Sequence, residues 1–133
     1  MTRPSLLIIF RNPESVDAQP VVRLRAWRVV WNAASGYHIV TATEHGSIRI
    51  TSAVKEMKFG TGLATTASGR GYQFMGPPSL SEVLTEVAQL VAERAGLDRC
   101  VDVSRIWWQA MVCAPEIQPD MDLGDLPPPQ VIE

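Results

Sequence analysis

Few side chains in this 133-residue chain are spaced for chemistry. His38 and His45 flank a turn, with Glu44 beside the second. Such a set could begin a metal site or supply an acid/base group. A zinc site needs a third and usually a fourth ligand at workable spacing. Cys100 and Cys113 lie far along the chain and form no CxxC pair, so neither a metal nor another cofactor is expected. Serines and threonines are plentiful, but none sits in GxSxG, and none has a base and an orienting group marked by spacing. Gly60-Thr61-Gly62 and Ser68-Gly69-Arg70-Gly71 have the residue types of phosphate loops. Neither leads from a strand into a helix N-terminus, where aligned N–H groups would meet a phosphate, so both read as hairpin turns. No catalytic residue is assigned and no enzyme is expected.

Binding chemistry is better represented. Arg23, Arg25, Trp27, Arg28 and Trp31 interleave cations with rings. Basic and aromatic side chains on a sheet can hold single-stranded nucleic acid by backbone charge and base stacking. Against this, the chain has net charge -2 and a pI near 5.7, where nucleic-acid domains usually exceed about 9. The same run also suits a sheet surface on which arginine stems lie along tryptophan rings. Trp108 falls off the apolar stripe of its segment, and tryptophan is enriched at interface hot spots. Beside it stand Arg105 and an acidic C-terminal stretch with Asp120, Asp122 and Asp125. Ile117, Met121, Leu123, Leu126, Val131 and Ile132 are spaced through that stretch, which could dock as an extended ligand or imitate nucleic-acid charge.

Charge is distributed unevenly. Residues 1–77 hold nine basic and four acidic side chains, residues 78–113 three and five, and residues 114–133 none and five. A mildly basic first half is joined to an acidic end. Two cysteines make no disulfide framework and fit reduced thiols in the cytoplasm. The longest early apolar run, Leu6 to Phe10, is shorter than a signal core or a membrane span, so no membrane association is expected.

The elements that must position these residues follow from periodicity. Leu6–Phe10 predicts a buried strand, ended by Asn12-Pro13, and residues 12–20 a loop. Val21–Trp31 is the longest strand candidate, followed by a turn at 33–36 and a strand over Tyr37–Thr43. Glu44-His45-Gly46 connects to a strand over Ile48–Phe59, in which Ile48, Ile50 and Val54 share a face. Leu63–Ala67 and Tyr72–Met75 complete a meander of about five or six antiparallel strands. Pro77-Pro78 ends the sheet. A helix over 79–95 follows, capped by Ser79 with Glu82 as its capping-box partner and closed by Gly96. Leu80, Val83, Leu84, Val87, Leu90 and Val91 form its apolar stripe. Asp102 or Ser104 can cap a short helix over 103–112 with Val103, Ile106, Trp107, Ala110 and Met111 on one stripe.

The segments TSAV (51–54) and TTASGRGYQFMGPP (65–78) resemble a pattern of small uncharacterised bacterial proteins. That pattern is a strand opening TSAIV, then a hairpin, then TRSGRxYxLxGPPG before a C-terminal α segment. Thr51, Ser52, Ala53, Val54, Thr66, Ser68, Gly69, Arg70, Tyr72, Gly76, Pro77 and Pro78 match it. Gly71 is an insertion, Ser79 replaces a glycine, and a capped helix stands where acidic and aromatic residues often continue. The resemblance implies the hairpin and the break after it. It carries no activity.

The expectation is an α+β domain over 1–113, with strands first and helices last, and an acidic, proline-rich tail over 114–133 that is disordered or extended. The expected function is a protein-interaction module using Trp108, Arg105 and the tail aspartates. One version is a phage- or plasmid-encoded inhibitor of a host nucleic-acid-handling or defence complex. The alternative is nucleic-acid binding through the Arg/Trp run. A homodimer is expected if the sheet's second face is as apolar as Trp27, Val29 and Trp31 suggest.

Overall fold

The computed structural model describes residues 7–8, 21–42, 47–97, 99–126 and 129, and omits the side chains of Leu7, Ile8, Glu82 and Val83. The 12–20 loop, the Glu44-His45-Gly46 connection and the end of the acidic stretch lie outside it. The fold is α+β. Its strands are β1 (Leu7–Ile8), β2 (Val21–Leu24), β3 (Trp27–Asn32), β4 (Gly36–Ala42), β5 (Ser47–Ile50), β6 (Val54–Lys58), β7 (Leu63–Thr66), β8 (Gly71–Phe74) and β9 (Val101–Asp102). The helices are α1 (Glu82–Arg94) and α2 (Ser104–Ile117), and a single 3₁₀ turn covers Leu123–Asp125.

The strands do not form one meander. They divide into a five-stranded sheet, order β1-β5-β4-β3-β9, and a four-stranded sheet, order β2-β8-β7-β6. Most pairs are antiparallel, but β1 runs parallel to β5 and β2 parallel to β8. Each parallel pair is joined by a long stretch of chain, which parallel pairing requires.

Two of the long strands expected from periodicity each split between the sheets. The first breaks at Arg25-Ala26. Leu24 and Trp27 are three residues apart and in a straight strand would face opposite ways. The bend lets both enter the core between the sheets. Ala26 marks the crossing, since its carbonyl accepts the Thr41 hydroxyl at 2.8 Å while the Leu24 carbonyl accepts the Met75 amide at 2.9 Å. The second breaks at residues 51–53. Ile48 and Ile50 face α1, whereas Val54 lies in the other core, so the shared face expected for the three does not hold.

The apolar content therefore fills two layers. Val30, Val40 and Ile48 pack under Leu84, Ala88, Val91 and Ala92 of α1. Trp27, Val29 and Ile39, on the opposite face, pack against Met57, Phe59, Ala64, Tyr72 and Phe74 of the second sheet and against α2. The second sheet and α2 thus cover the sheet face that carries Trp27 and Val29.

α1 begins later than expected. Its N-cap is Ser81, whose hydroxyl accepts the Leu84 amide at 3.4 Å; Ser79 instead accepts the Ser81 amide at 3.2 Å. Leu80 consequently falls before the helix and is 90% exposed. The end is as expected: Gly96 takes φ +85°, the Leu97 amide reaches the Ala92 carbonyl, and the Gly96 amide reaches Glu93. α2 runs past the expected end at 112 and through Pro115. Proline there removes one helical donor, but Ala114 is buried and holds the last turn against the core.

Candidate functional site

α2 is the element that carries the C-terminal residues, and three sets of contacts seat it. Ser104 is fully buried and bonds the β3 backbone, its hydroxyl accepting the Val29 amide at 2.8 Å. Asp102 accepts the Ser104 amide at 2.9 Å, so it serves the helix start although Val103 occupies the cap position. The same carboxylate takes both Nε and an Nη of Arg28 at 2.9 Å, and Arg28 donates again to the Ser79 carbonyl. Trp107 is then driven between the sheets, with ring centroids 5.2 Å from Tyr37, 5.3 Å from Phe59 and 5.9 Å from Phe74.

With Trp107, Ala110, Met111 and Ala114 turned inward, the opposite side of α2 faces solvent. Arg105, Ile106, Gln109, Val112, Cys113, Glu116 and Ile117 are exposed there, Ile117 by 79%. At 3.6 residues per turn, Ile106, Cys113 and Ile117 fall within about 40° of one line along the helix. Ile106, expected on the buried stripe, is instead 45% exposed. Trp108 is half-buried against the inter-sheet core, so its ring is partly structural.

The acidic stretch is not a loose tail up to Leu126. The Phe59 amide donates to the Met121 carbonyl at 3.0 Å, and Met121, Leu123 and Leu126 pack against the inter-sheet core. Asp122 and Asp125 close a reciprocal capping box: Asp122 accepts the Gly124 amide at 2.9 Å, and Asp125 accepts the Asp122 amide at 3.0 Å. Short-range aspartate caps and three spaced apolar residues outweigh the proline content. Glu116, Asp120, Asp122 and Asp125 remain exposed, and among the described residues none of them enters an ion pair.

The Arg/Trp run is dispersed. Trp27 is 0% exposed, edge-on to Phe74 at 4.6 Å, and donates its Nε1 hydrogen to the Gly76 carbonyl at 3.0 Å. Trp31 is half-buried against the same core. Arg28 is occupied with Asp102 on the other face of the sheet. Arg23 and Arg25 alone of the five are exposed. Trp27 presents no open face to a base, because the bend at Arg25-Ala26 turns it into the interior, and the Trp31 ring is half-buried.

Two constellations were not marked by spacing. His38 is buried, with Nδ1 2.9 Å from the Thr51 carbonyl and Nε2 2.7 Å from the Ser35 hydroxyl. The available signal was Ser-x-x-His spanning a hairpin tip. His45 lies outside the described residues. Arg70, read as a turn residue, is 1% exposed and lies near Tyr72. Burial pushes the Tyr72 phenol above its ordinary value, while the cations of Arg70 and Arg49 pull it back. Among the described residues no three His, Cys, Asp or Glu side chains gather to hold a metal, and no helix is long and apolar enough to cross a membrane. No protein-family model, curated protein or solved structure matches this chain.

Proposed function

We propose that the protein is an interaction module whose contact surface is the outer side of α2 together with the acidic turn that follows it. The observation that supports this reading is that Ile106, Val112 and Ile117 on α2, and Glu116, Asp120, Asp122 and Asp125 on α2 and the stretch after it, are all exposed. Protein–protein contacts combine such apolar side chains with polar and charged ones. The partner with matching chemistry is a protein surface bearing arginine or lysine around an apolar pocket. A groove that ordinarily holds nucleic acid has that chemistry, which favours a nucleic-acid-handling complex as the target. The nucleic-acid-binding alternative is less favoured, since Trp27 is fully buried and Trp31 half-buried.

The test is capture from host lysate after nuclease treatment, comparing the full chain with Ile117→Asp and with Glu116→Lys/Asp120→Lys. Neither Glu116 nor Asp120 belongs to the Asp122–Asp125 capping box, so their replacement leaves it intact. A partner retained by the wild type and lost at least about tenfold, or 1.4 kcal/mol, in both variants is expected. Equal capture by all three would refute this surface.

A further inference from the structure

We propose that Ser35 is an activated nucleophile that accepts an acyl or phosphonyl group from an activated ester, with His38 as its base. This site lies at the tip of the β3–β4 hairpin, apart from α2, and goes beyond the interaction reading. Thr51 sets the tautomer of the histidine. Its backbone carbonyl can only accept, and it lies 2.9 Å from His38 Nδ1. In neutral His38 the ring proton is therefore on Nδ1, which leaves the Nε2 lone pair facing Ser35 Oγ at 2.7 Å. The serine proton points at a base whose orientation a second group holds, which is the arrangement that activates a hydroxyl.

The remaining contacts hold the serine in place. Asn32 Oδ1 accepts the amides of Ala34 at 2.9 Å and Ser35 at 3.1 Å, fixing the turn from which Oγ projects. Ser35 Oγ also lies 3.2 Å from Asn32 Oδ1, a second acceptor for the same hydroxyl proton, and the contact to Nε2 at 2.7 Å is the shorter of the two. Ile39 and Thr51 are locked to one another, the Ile39 amide donating to Thr51 Oγ1 at 3.0 Å and the Thr51 amide to the Ile39 carbonyl at 2.9 Å. The orienting carbonyl is thus part of a rigid sheet corner. His38 is only 6% exposed, while Ser35 is exposed. The base is shielded and the approach to the nucleophile is open.

In the step proposed, Ser35 Oγ forms a bond to the acyl carbon and its proton passes to His38 Nε2. The bond from that carbon to the leaving oxygen then breaks. The alkoxide takes its electron pair and the proton held by Nε2. With a fluorophosphonate the bond forms to phosphorus, fluoride leaves with its electron pair, and the proton on Nε2 passes to water.

The full chain is treated with a fluorophosphonate probe and, separately, with p-nitrophenyl acetate, and the modified residue is located by peptide mass spectrometry. Modification at Ser35 at least about 100-fold faster in the folded protein than in the urea-unfolded chain is expected, the scale of general-base assistance. Ser35→Ala should remove it. His38→Gln, compared only if its circular dichroism matches the wild type, should slow it to the unfolded rate. Ser35 labelling no faster in the folded wild type than in the unfolded chain would overturn the proposal without reference to any variant. Fast labelling that survives in folded His38→Gln would overturn the role of the base.

Discussion

Single residues in this protein are specialised by where burial puts them. Arg28 and Arg23 are five residues apart and chemically identical, yet one is held by three hydrogen bonds and the other is exposed. Tyr37 illustrates the electrostatic side of the same effect. Burial raises its phenol above the ordinary 10.0, because the phenolate would lose water. Both states keep the proton below 10.0, so stability there is independent of this group. As pH climbs past 10.0 the unfolded chain ionises first, and stability falls until the folded pKa is passed. Equilibrium unfolding from about pH 9 to about pH 11 should therefore show a decline that is shallower in Tyr37→Phe. An identical slope in the variant would assign the alkaline loss elsewhere, with Tyr72, raised by the same cause, the next residue to replace.

At the scale of elements, the ends matter more than the middles. α1 needs a partner for its first amide groups, and Ser81, not Ser79, supplies the oxygen to Leu84. Ser81→Ala should cost about 1 kcal/mol in denaturant unfolding, whereas Ser79→Ala should cost clearly less. The reverse order would place the helix start two residues earlier. The β6–β7 turn is coupled to residues 118–126, the strap that follows α2, by a close approach of Gly60 to Pro119. A Cβ on Gly60 would meet the Pro119 carbonyl, so no larger residue fits without moving the strap.

For the whole molecule, α2 and the strap belong to the core. Ending the chain at Cys113 would remove Ala114 from the inter-sheet core along with Met121, Leu123 and Leu126. Large-to-small changes at such positions cost about 2–5 kcal/mol each. The shortened chain should unfold at markedly lower denaturant or bind a hydrophobic dye, as a chain with an open core does. Stability equal to the full chain would show that the strap contributes nothing. For this reason the contact surface is better probed by substitution at Ile117 or Asp120 than by truncation.

Sequence alone determined the α+β class, the turns at Gly60-Thr61-Gly62 and Ser68-Gly69, and the end of α1 at Gly96. These depend on contacts within a few residues: alternation along a strand, the 3.6-residue stripe, and a glycine where φ is positive. It also marked a chemically distinct C-terminal region, because runs of acid and proline need no partner to be seen. Only the tertiary structure decided which strand joined which sheet. The bends at Arg25-Ala26 and 51–53 have no glycine or proline, and each arises because residues on either side are drawn into different sheets. That choice buried Trp27, occupied Arg28 with Asp102 and left one side of α2 bare. It also brought the Thr51 carbonyl to His38 from a neighbouring strand's end, a pairing across thirteen residues that no local spacing encodes.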